Sequence, residues 1–251
     1  CDKIFSNSIG WLPWRRPGFE LGLWLEKFCI ENPNANGVVL ESHGLFTWAD
    51  DAKSCYDLTV DTINKATSWI SENSQSKKPF NGAKLDKLPS AERSQIAHDL
   101  MLSIRKVICD KQRMVGHFDN SDSVLEFVNS LQFNELANLG TSCPDHFLRT
   151  KICPLVIDLD FQSLTEEESE QKLESLIKDY REQYESYYNR CKREDSPKIR
   201  DSNPVIYLIP RVGMISFAKD KATARISSEF YINAINVMRG SCLVSTYFGL
   251  P

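Results

Sequence analysis

An apolar run, one imidazole, a glycine and a second apolar run follow one another in Gly37-Val38-Val39-Leu40-Glu41-Ser42-His43-Gly44-Leu45-Phe46-Thr47-Trp48. Short apolar runs bounded by turn residues read as buried strands. A histidine at the break between two such strands can project from a rigid frame into a cleft. Neutral imidazole is a common zinc ligand. A histidine at a strand end also serves as hydrogen-bonded structure, and the residues leave both readings open. The plan recurs in Val205-Ile206-Tyr207-Leu208-Ile209-Pro210-Arg211-Val212-Gly213-Met214-Ile215-Ser216-Phe217-Ala218. Gly213 aligns with Gly44, Ser216 with Thr47, Phe217 with Trp48 and Ala218 with Ala49. Asn203-Pro204 precedes this unit as Asn32-Pro33 precedes the first, and Val212 stands at the position of His43. A long amphipathic helix is expected after each unit. The pattern predicts a duplicated fold unit of which one copy kept its imidazole. Chance similarity between two strand–helix units is the competing explanation.

The rest of the chain alternates in the same way. Residues 2–16 read as irregular, and Pro17 suits the first turn of a helix carrying Leu21, Trp24, Leu25 and Phe28. Asp50 or Asp51 is expected to cap a helix whose apolar face is Ala52, Cys55, Tyr56, Thr59, Ile63, Ala66 and Ile70. Residues 71–89, rich in Lys, Ser and Pro, are the linker candidate. Ser90 is read as the cap of a helix with Ile96, Leu100, Ile104 and Val107 in register. A short strand at 114–118, a helix from Ser121 through 131, an irregular stretch at 136–149 and a buried strand at 151–159 follow. Thr165-Glu166-Glu167-Glu168 is a capping box, and the helix it opens carries Leu173, Leu176, Ile177, Tyr180, Tyr184, Tyr187 and Cys191. After a charged loop at 193–203 and the second strand–glycine–strand unit, a last helix is expected to bury Ala222, Ile226, Phe230, Ala234 and Val237. Alternating helices and strands make the fold class α/β.

The formal net charge of −4 disfavours nucleic acid and anionic membrane as partners. No apolar run has the length of a membrane-spanning helix. The 8 cysteines contain no C-x-x-C pair and read as reduced thiols of a cytoplasmic protein, with Cys29 and Cys55 on apolar helix faces. Cys at position 1 and a last stretch without tail character lead us to expect a piece of a longer protein.

Four histidines exist, His43, His98, His117 and His146, with no H-x-H pair among them. His146 lies in Ser142-Cys143-Pro144-Asp145-His146-Phe147-Leu148-Arg149-Thr150-Lys151. Asp145, His146, Arg149 and Lys151 there can line a pocket for an anionic substrate, or the segment is a turn held by Asp and Pro. Arg15-Arg16-Pro17-Gly18 precedes a helix N-terminus, where two guanidiniums can hold a phosphate or lie on a plain surface turn. No G-x-S-x-G, G-x-G-x-x-G or P-loop occurs.

Three motifs together are similar to those of one family: Trp14-Arg15-Arg16-Pro17-Gly18-Phe19-Glu20-Leu21-Gly22, Ser42-His43-Gly44-Leu45-Phe46-Thr47-Trp48, and Pro144-Asp145-His146-Phe147-Leu148-Arg149-Thr150-Lys151. The family is the bifunctional rhamnulose-1-phosphate aldolase/alcohol dehydrogenases, whose front part is a class II aldolase/adducin-type domain. The resemblance runs over nearly the whole chain. It implies a three-layer α/β/α fold with a degenerate internal repeat. Residues 1–75 would be the C-terminal half of the aldolase-like domain, and residues 76–251 a repeat-like extension leading to an absent dehydrogenase domain. It implies zinc-dependent retro-aldol cleavage of rhamnulose 1-phosphate to dihydroxyacetone phosphate and lactaldehyde, the metal polarising the ketose oxygens and a carboxylate moving the proton. NAD would enter only through the absent domain. His43 is carried over as one zinc ligand, and no catalytic residue is, because the family's H-x-H pair and catalytic Glu have no counterpart here. Arg15, Arg16, His146 and Arg149 are the candidates for binding a sugar-phosphate substrate. His146 and Val212 would be a ruined second site. The resemblance further implies a cytoplasmic homo-oligomer when intact, and an inactive chain with weak zinc affinity as it stands. The rival readings are a non-catalytic adducin-like interaction module and another sugar-phosphate lyase or epimerase.

Overall fold

The computed structural model describes residues 2–110, 112–161 and 163–250, without the side chains of Asp2 and Ser6. A short helix α1 (Asp2–Phe5) leads into strand β1 (Ile9–Leu12), helix α2 (Phe19–Glu31) and a hairpin of β2 (Gly37–Leu40) and β3 (Gly44–Thr47). Helix α3 (Ala52–Ser74) follows, capped by the Asp51 carboxylate, which accepts from the Ser54 N–H at 3.0 Å. Then come α4 (Ser90–Ile108), β4 (Val115–Asp119), three short helices α5 (Asp122–Val128), α6 (Phe133–Leu139) and α7 (Pro144–Thr150), and the two-residue strand β5 (Leu155–Val156). Long helix α8 (Glu166–Cys191), hairpin β6 (Ile206–Ile209) and β7 (Gly213–Ala218), and helix α9 (Lys221–Val244) complete the chain. The result is a mixed α/β fold with two sheets.

The first sheet has the order β1-β2-β3, and the second β4-β7-β6-β5. Three strands of the second, β5, β6 and β7, repeat the connectivity of the first. β1 runs parallel to β2, which turns antiparallel into β3; β5 runs parallel to β6, which turns antiparallel into β7. Equivalent atoms repeat with an offset of 169 residues, Gly44 to Gly213. Leu40 pairs with Gly44 and Ile209 with Gly213. Ser42 and Arg211 both take a left-handed φ, 56° and 66°. His43 N–H donates to Leu40 O and Val212 N–H to Ile209 O, each at 3.1 Å. Trp48 N–H reaches Asn36 O as Phe217 N–H reaches Val205 O. Asp220 caps α9 as Asp51 caps α3. This register displaces the Asn-Pro match: Asn203-Pro204 falls opposite Asn34-Ala35, not Asn32-Pro33.

Side-chain alternation along β6 places the two cores. Ile206 and Leu208 join one cluster with Phe127, Tyr231, Ile235 and Met238; Tyr207 and Ile209 join another with Leu100, Ile104, Leu173 and Ile177. The four-stranded sheet is thus covered by α5 and α9 on one face and by α4 and α8 on the other. Each such fully buried side chain contributes about 1.5–3 kcal/mol of transfer free energy. The first sheet is thinner. α2 covers it through Leu21 and Phe28 against Leu12, Val38 and Leu40, and α3 packs against α9.

Several expectations need correction. Residues 2–16 are not irregular, because parallel pairing with β2 holds β1 straight. The stretch 136–149 contains α6 and α7, and only two residues of 151–159 form a strand. Residues 71–89 are no free linker: α3 runs to Ser74, and Phe80 is fully buried, its ring 5.2 Å from that of Phe127. Ser90 is the first helical residue of α4 and not its cap. Ser121 stands at the N-cap of α5, where its carbonyl accepts from the Leu125 N–H at 2.9 Å but its side chain makes no capping hydrogen bond, and that helix stops at Val128. On α3, Tyr56 and Ile63 are exposed and Thr62 is buried instead. The inner face of α9 is Ala224, Ser227, Ser228, Tyr231, Ala234, Ile235 and Met238; Val237 is exposed. Cys29, one residue on from buried Phe28, faces out. The capping box of α8 is present in full, and Leu173, Ile177 and Tyr180 are buried.

Candidate functional site

Parallel strands β1 and β2 end side by side, and the segments that leave them carry the first group of candidates. Loops at the carboxyl ends of parallel strands are the usual place for ligands in open α/β sheets. Glu41 binds the two segments together: its N–H donates to Leu12 O at 2.9 Å, and its carboxylate accepts from the Trp14 N–H at 2.8 Å. His43 closes the same turn. Its Nδ1 is buried without a hydrogen-bond partner, an unusual state for a ring nitrogen and a cost unless something outside the described residues pairs with it. Arg15 is tied down locally. Its guanidinium lies 4.0 Å over the Trp24 ring and donates to Trp14 O at 3.1 Å, while Nε is buried without a partner. An arginine held by stacking in this way is fixed in direction.

Arg16 leaves that group and faces another. It lines a cavity of about 460 Å³ together with Arg149, Lys151, Arg200, Tyr184 and Tyr187. The structure therefore brings Arg16 and Arg149 to one hollow, as candidates from distant parts of the sequence. His146 is not among its lining residues. That side chain packs edge-on against Phe230 of α9, with ring centroids 5.5 Å apart, and burial lowers its pKa, the Asp145 charge opposing. Because α7 is a helix and not a turn, His146 lies toward α9 and away from the lining of this cavity. Asp145, also expected at that pocket, is exposed and does not line it.

The sequence singled out Lys151 only as one of a polar run. In the structure it is the most constrained cation of the cavity. It stands directly after α7 with φ 62°, a left-handed conformation that a non-glycine residue adopts at a cost. Its Nζ donates to the backbone carbonyls of Asp201 and Asn203 and lies 4.0 Å over the Tyr184 ring. Burial pulls its pKa down to about 8, against the attraction of Asp201. The signal in the sequence was weak, since a lysine after a short helix is an ordinary C-terminal cation.

His98 is exposed on α4, and His117 on β4 has Nδ1 3.2 Å from Lys221 Nζ, with a pKa lowered by burial and by that ammonium. Zinc, the metal that the resemblance implies, finds one suitable donor here. Buried, unpartnered Nδ1 of His43 fits a ligand. Among the described residues, however, no three His, Cys, Asp or Glu side chains converge. Three protein ligands are the usual minimum of a catalytic zinc site, so the described residues alone do not furnish one. Val212, at the equivalent of His43, is buried among Ile209, Ile215 and Tyr207, so the second turn holds core where the first holds an imidazole. No helix of the described residues is long and apolar enough to cross a membrane.

Comparison with known proteins places the chain. The uncharacterized oxidoreductase YuxG of Bacillus subtilis (strain 168) is 32% identical over 250 residues, which is 100% of this chain and 36% of that protein. The chain thus spans little more than a third of the relative it matches. No solved structure matches. Residues 95–251 match the family described as aldolase class II, second domain. That segment holds all four strands of the larger sheet, and by it the chain belongs to the class II aldolase family.

Proposed function

We propose that this chain is part of a zinc-dependent aldolase that cleaves rhamnulose 1-phosphate to dihydroxyacetone phosphate and lactaldehyde, in a cytoplasmic homo-oligomer that also carries an NAD-dependent short-chain dehydrogenase. The observation that carries the reading is His43, an imidazole at the carboxyl end of a parallel strand pair with Nδ1 buried and unpartnered. Zinc bound there would supply Lewis-acid polarisation of a ketose carbonyl. Membership of the class II aldolase family supports the lyase chemistry, and the printed name of the YuxG relative, an oxidoreductase, supports the second activity.

The shared connectivity of the two sheets favours a duplication, with residues 1–75 as the end of one aldolase-like unit and residues 76–251 as a second, degenerate one. In this reading the four-stranded sheet and the helices on its two faces are the three layers of the class II aldolase/adducin fold. The remaining ligands and the catalytic carboxylate come from outside the chain, which by itself binds zinc weakly and does not cleave the sugar.

The test uses the full-length protein of which the chain is part. Zinc content and release of dihydroxyacetone phosphate from rhamnulose 1-phosphate are measured for wild type and His43→Ala. Loss of a ligand should lower the rate by more than about 100-fold, beyond the range for losing a supporting outer-shell group. Wild-type turnover that His43→Ala leaves intact would remove the assignment of His43. No cleavage of any ketose phosphate would favour a non-catalytic, adducin-like module. Cleavage or epimerisation of a different sugar phosphate would keep the chemistry and change the substrate.

A further inference from the structure

The cavity beside α8 concentrates positive charge in a protein whose formal net charge is −4. Arg16, Arg149, Lys151, Lys192, Lys198 and Arg200 line it, against the single carboxylate of Asp201. They converge from four places: the segment before α2, the end of α7, the end of α8 and the loop that follows it. None of the six makes a salt bridge among the described residues. A helix C-terminus accounts for Lys192, since cations complement the negative end of the helix dipole. The C-terminus of α7 accounts for Arg149 in the same way, but no helix end accounts for Arg16 or Arg200, which lie in the segment before α2 and in the loop after α8.

Like charges repel, and gathering them without counter-charges is unfavourable unless an anion is to be held. One wall is aromatic. Tyr184 and Tyr187 are half-buried, and burial raises the pKa of both. Lys151 reinforces the picture, its ammonium kept at the inner wall by two carbonyls and an aromatic face in spite of a strained backbone. At about 460 Å³ the hollow has the size of a small-molecule site.

We propose that this cavity binds a small phosphate monoester, its phosphate held by Arg16, Arg149 and Arg200 at the rim and its body laid against Tyr184 and Tyr187. Guanidiniums suit phosphate because their planar fork donates two parallel hydrogen bonds. Multiple cations favour a dianion over a carboxylate. The proposal does not rest on the aldolase reading and makes no use of His43.

Isothermal titration of the chain with inorganic phosphate, phenyl phosphate and benzoate tests it. Phenyl phosphate should bind more tightly than inorganic phosphate, and both more tightly than benzoate. Arg149→Gln and Arg200→Gln should each weaken phenyl phosphate about tenfold or more, the loss expected for one charge-assisted hydrogen bond. Arg225→Gln, on the exposed face of α9 and paired with Glu229, should leave binding unchanged. Circular dichroism melts of the variants guard against a folding defect, and rim positions are chosen because exposed arginines are dispensable for the core. Displacement of phenyl phosphate by dihydroxyacetone phosphate would identify the ester as a sugar-phosphate substrate. Tight binding without that displacement would make the hollow a separate ester site, and either result upholds the proposal. No heat at millimolar phenyl phosphate, benzoate binding as well as phenyl phosphate, or unchanged affinity in both rim variants would overturn it.

Discussion

His146 shows how far a single residue's neighbours decide its role. In the sequence it stands among Asp, Arg and Lys and reads as polar chemistry. In the fold it is an edge-to-face partner of Phe230, half out of water. Its folded-state pKa lies below the ordinary value of 6.5 because burial penalises the imidazolium. The unfolded chain therefore binds more protons than the folded one as pH falls below 6.5. Stability is full above that value and declines as pH drops through the folded-state pKa. Melts of wild type and His146→Gln from pH 8 to pH 5 should diverge, wild type losing more on acidification; parallel profiles would refute the assignment. Glycine gives a second lesson at this scale. Gly213 is needed, since its φ is 143° and a Cβ would come within 2.6 Å of Asp119 O, while a Cβ on Gly44 would meet nothing within 4 Å. The two look alike in sequence because the strand that crowds Gly213 is far away in the chain. The same distance hid the meeting of Arg16 with Arg149.

At the scale of elements, legibility followed length and local signal. The long helix α8 was readable from end to end because its start is written in four residues. Thr165 Oγ1 accepts from the Glu168 N–H, and the Glu168 carboxylate accepts from the Thr165 N–H at 2.9 Å. Thr165→Ala should cost about 1 kcal/mol of stability in urea denaturation. Glu168→Ala should cost a similar amount, and the double variant less than the sum, since the two share one motif. Additive losses would mean the box is not a unit. Helices α6 and α7, at 7 residues each, were missed. Helices so short are marginal on their own and exist because neighbours bury them, as Phe133, Leu136 and Ala137 are buried in the core around Phe127. The segment around Phe80 was misread for a related reason: one aromatic anchor in a polar stretch carries no periodicity. On α9 the apolar periodicity marks the inward face only in part, through Ala234 and half-buried Ile226 and Phe230, because serines also lie inward. Ser227 and Ser228 are both buried, and Ser216 Oγ donates to Ala224 O at 2.7 Å.

For the molecule as a whole, two hairpins of one connectivity live in different surroundings. β7 is hydrogen-bonded on both sides, to β6 and to β4, and all its residues are buried. Among the described residues its counterpart β3 pairs only with β2, and Phe46 on it is 47% exposed. Local opening of a strand costs what its contacts and hydrogen bonds supply. Amide exchange followed by mass spectrometry should therefore label β3 far sooner than β7, with β7 protected up to global unfolding; equal protection would contradict the difference in packing. The same strand plan, written twice, thus becomes a slow clock in one place and a fast one in the other. The turn that carries His43 is tied to the fast one, so any ligand that settles on that imidazole should be felt first as a slowing of β3.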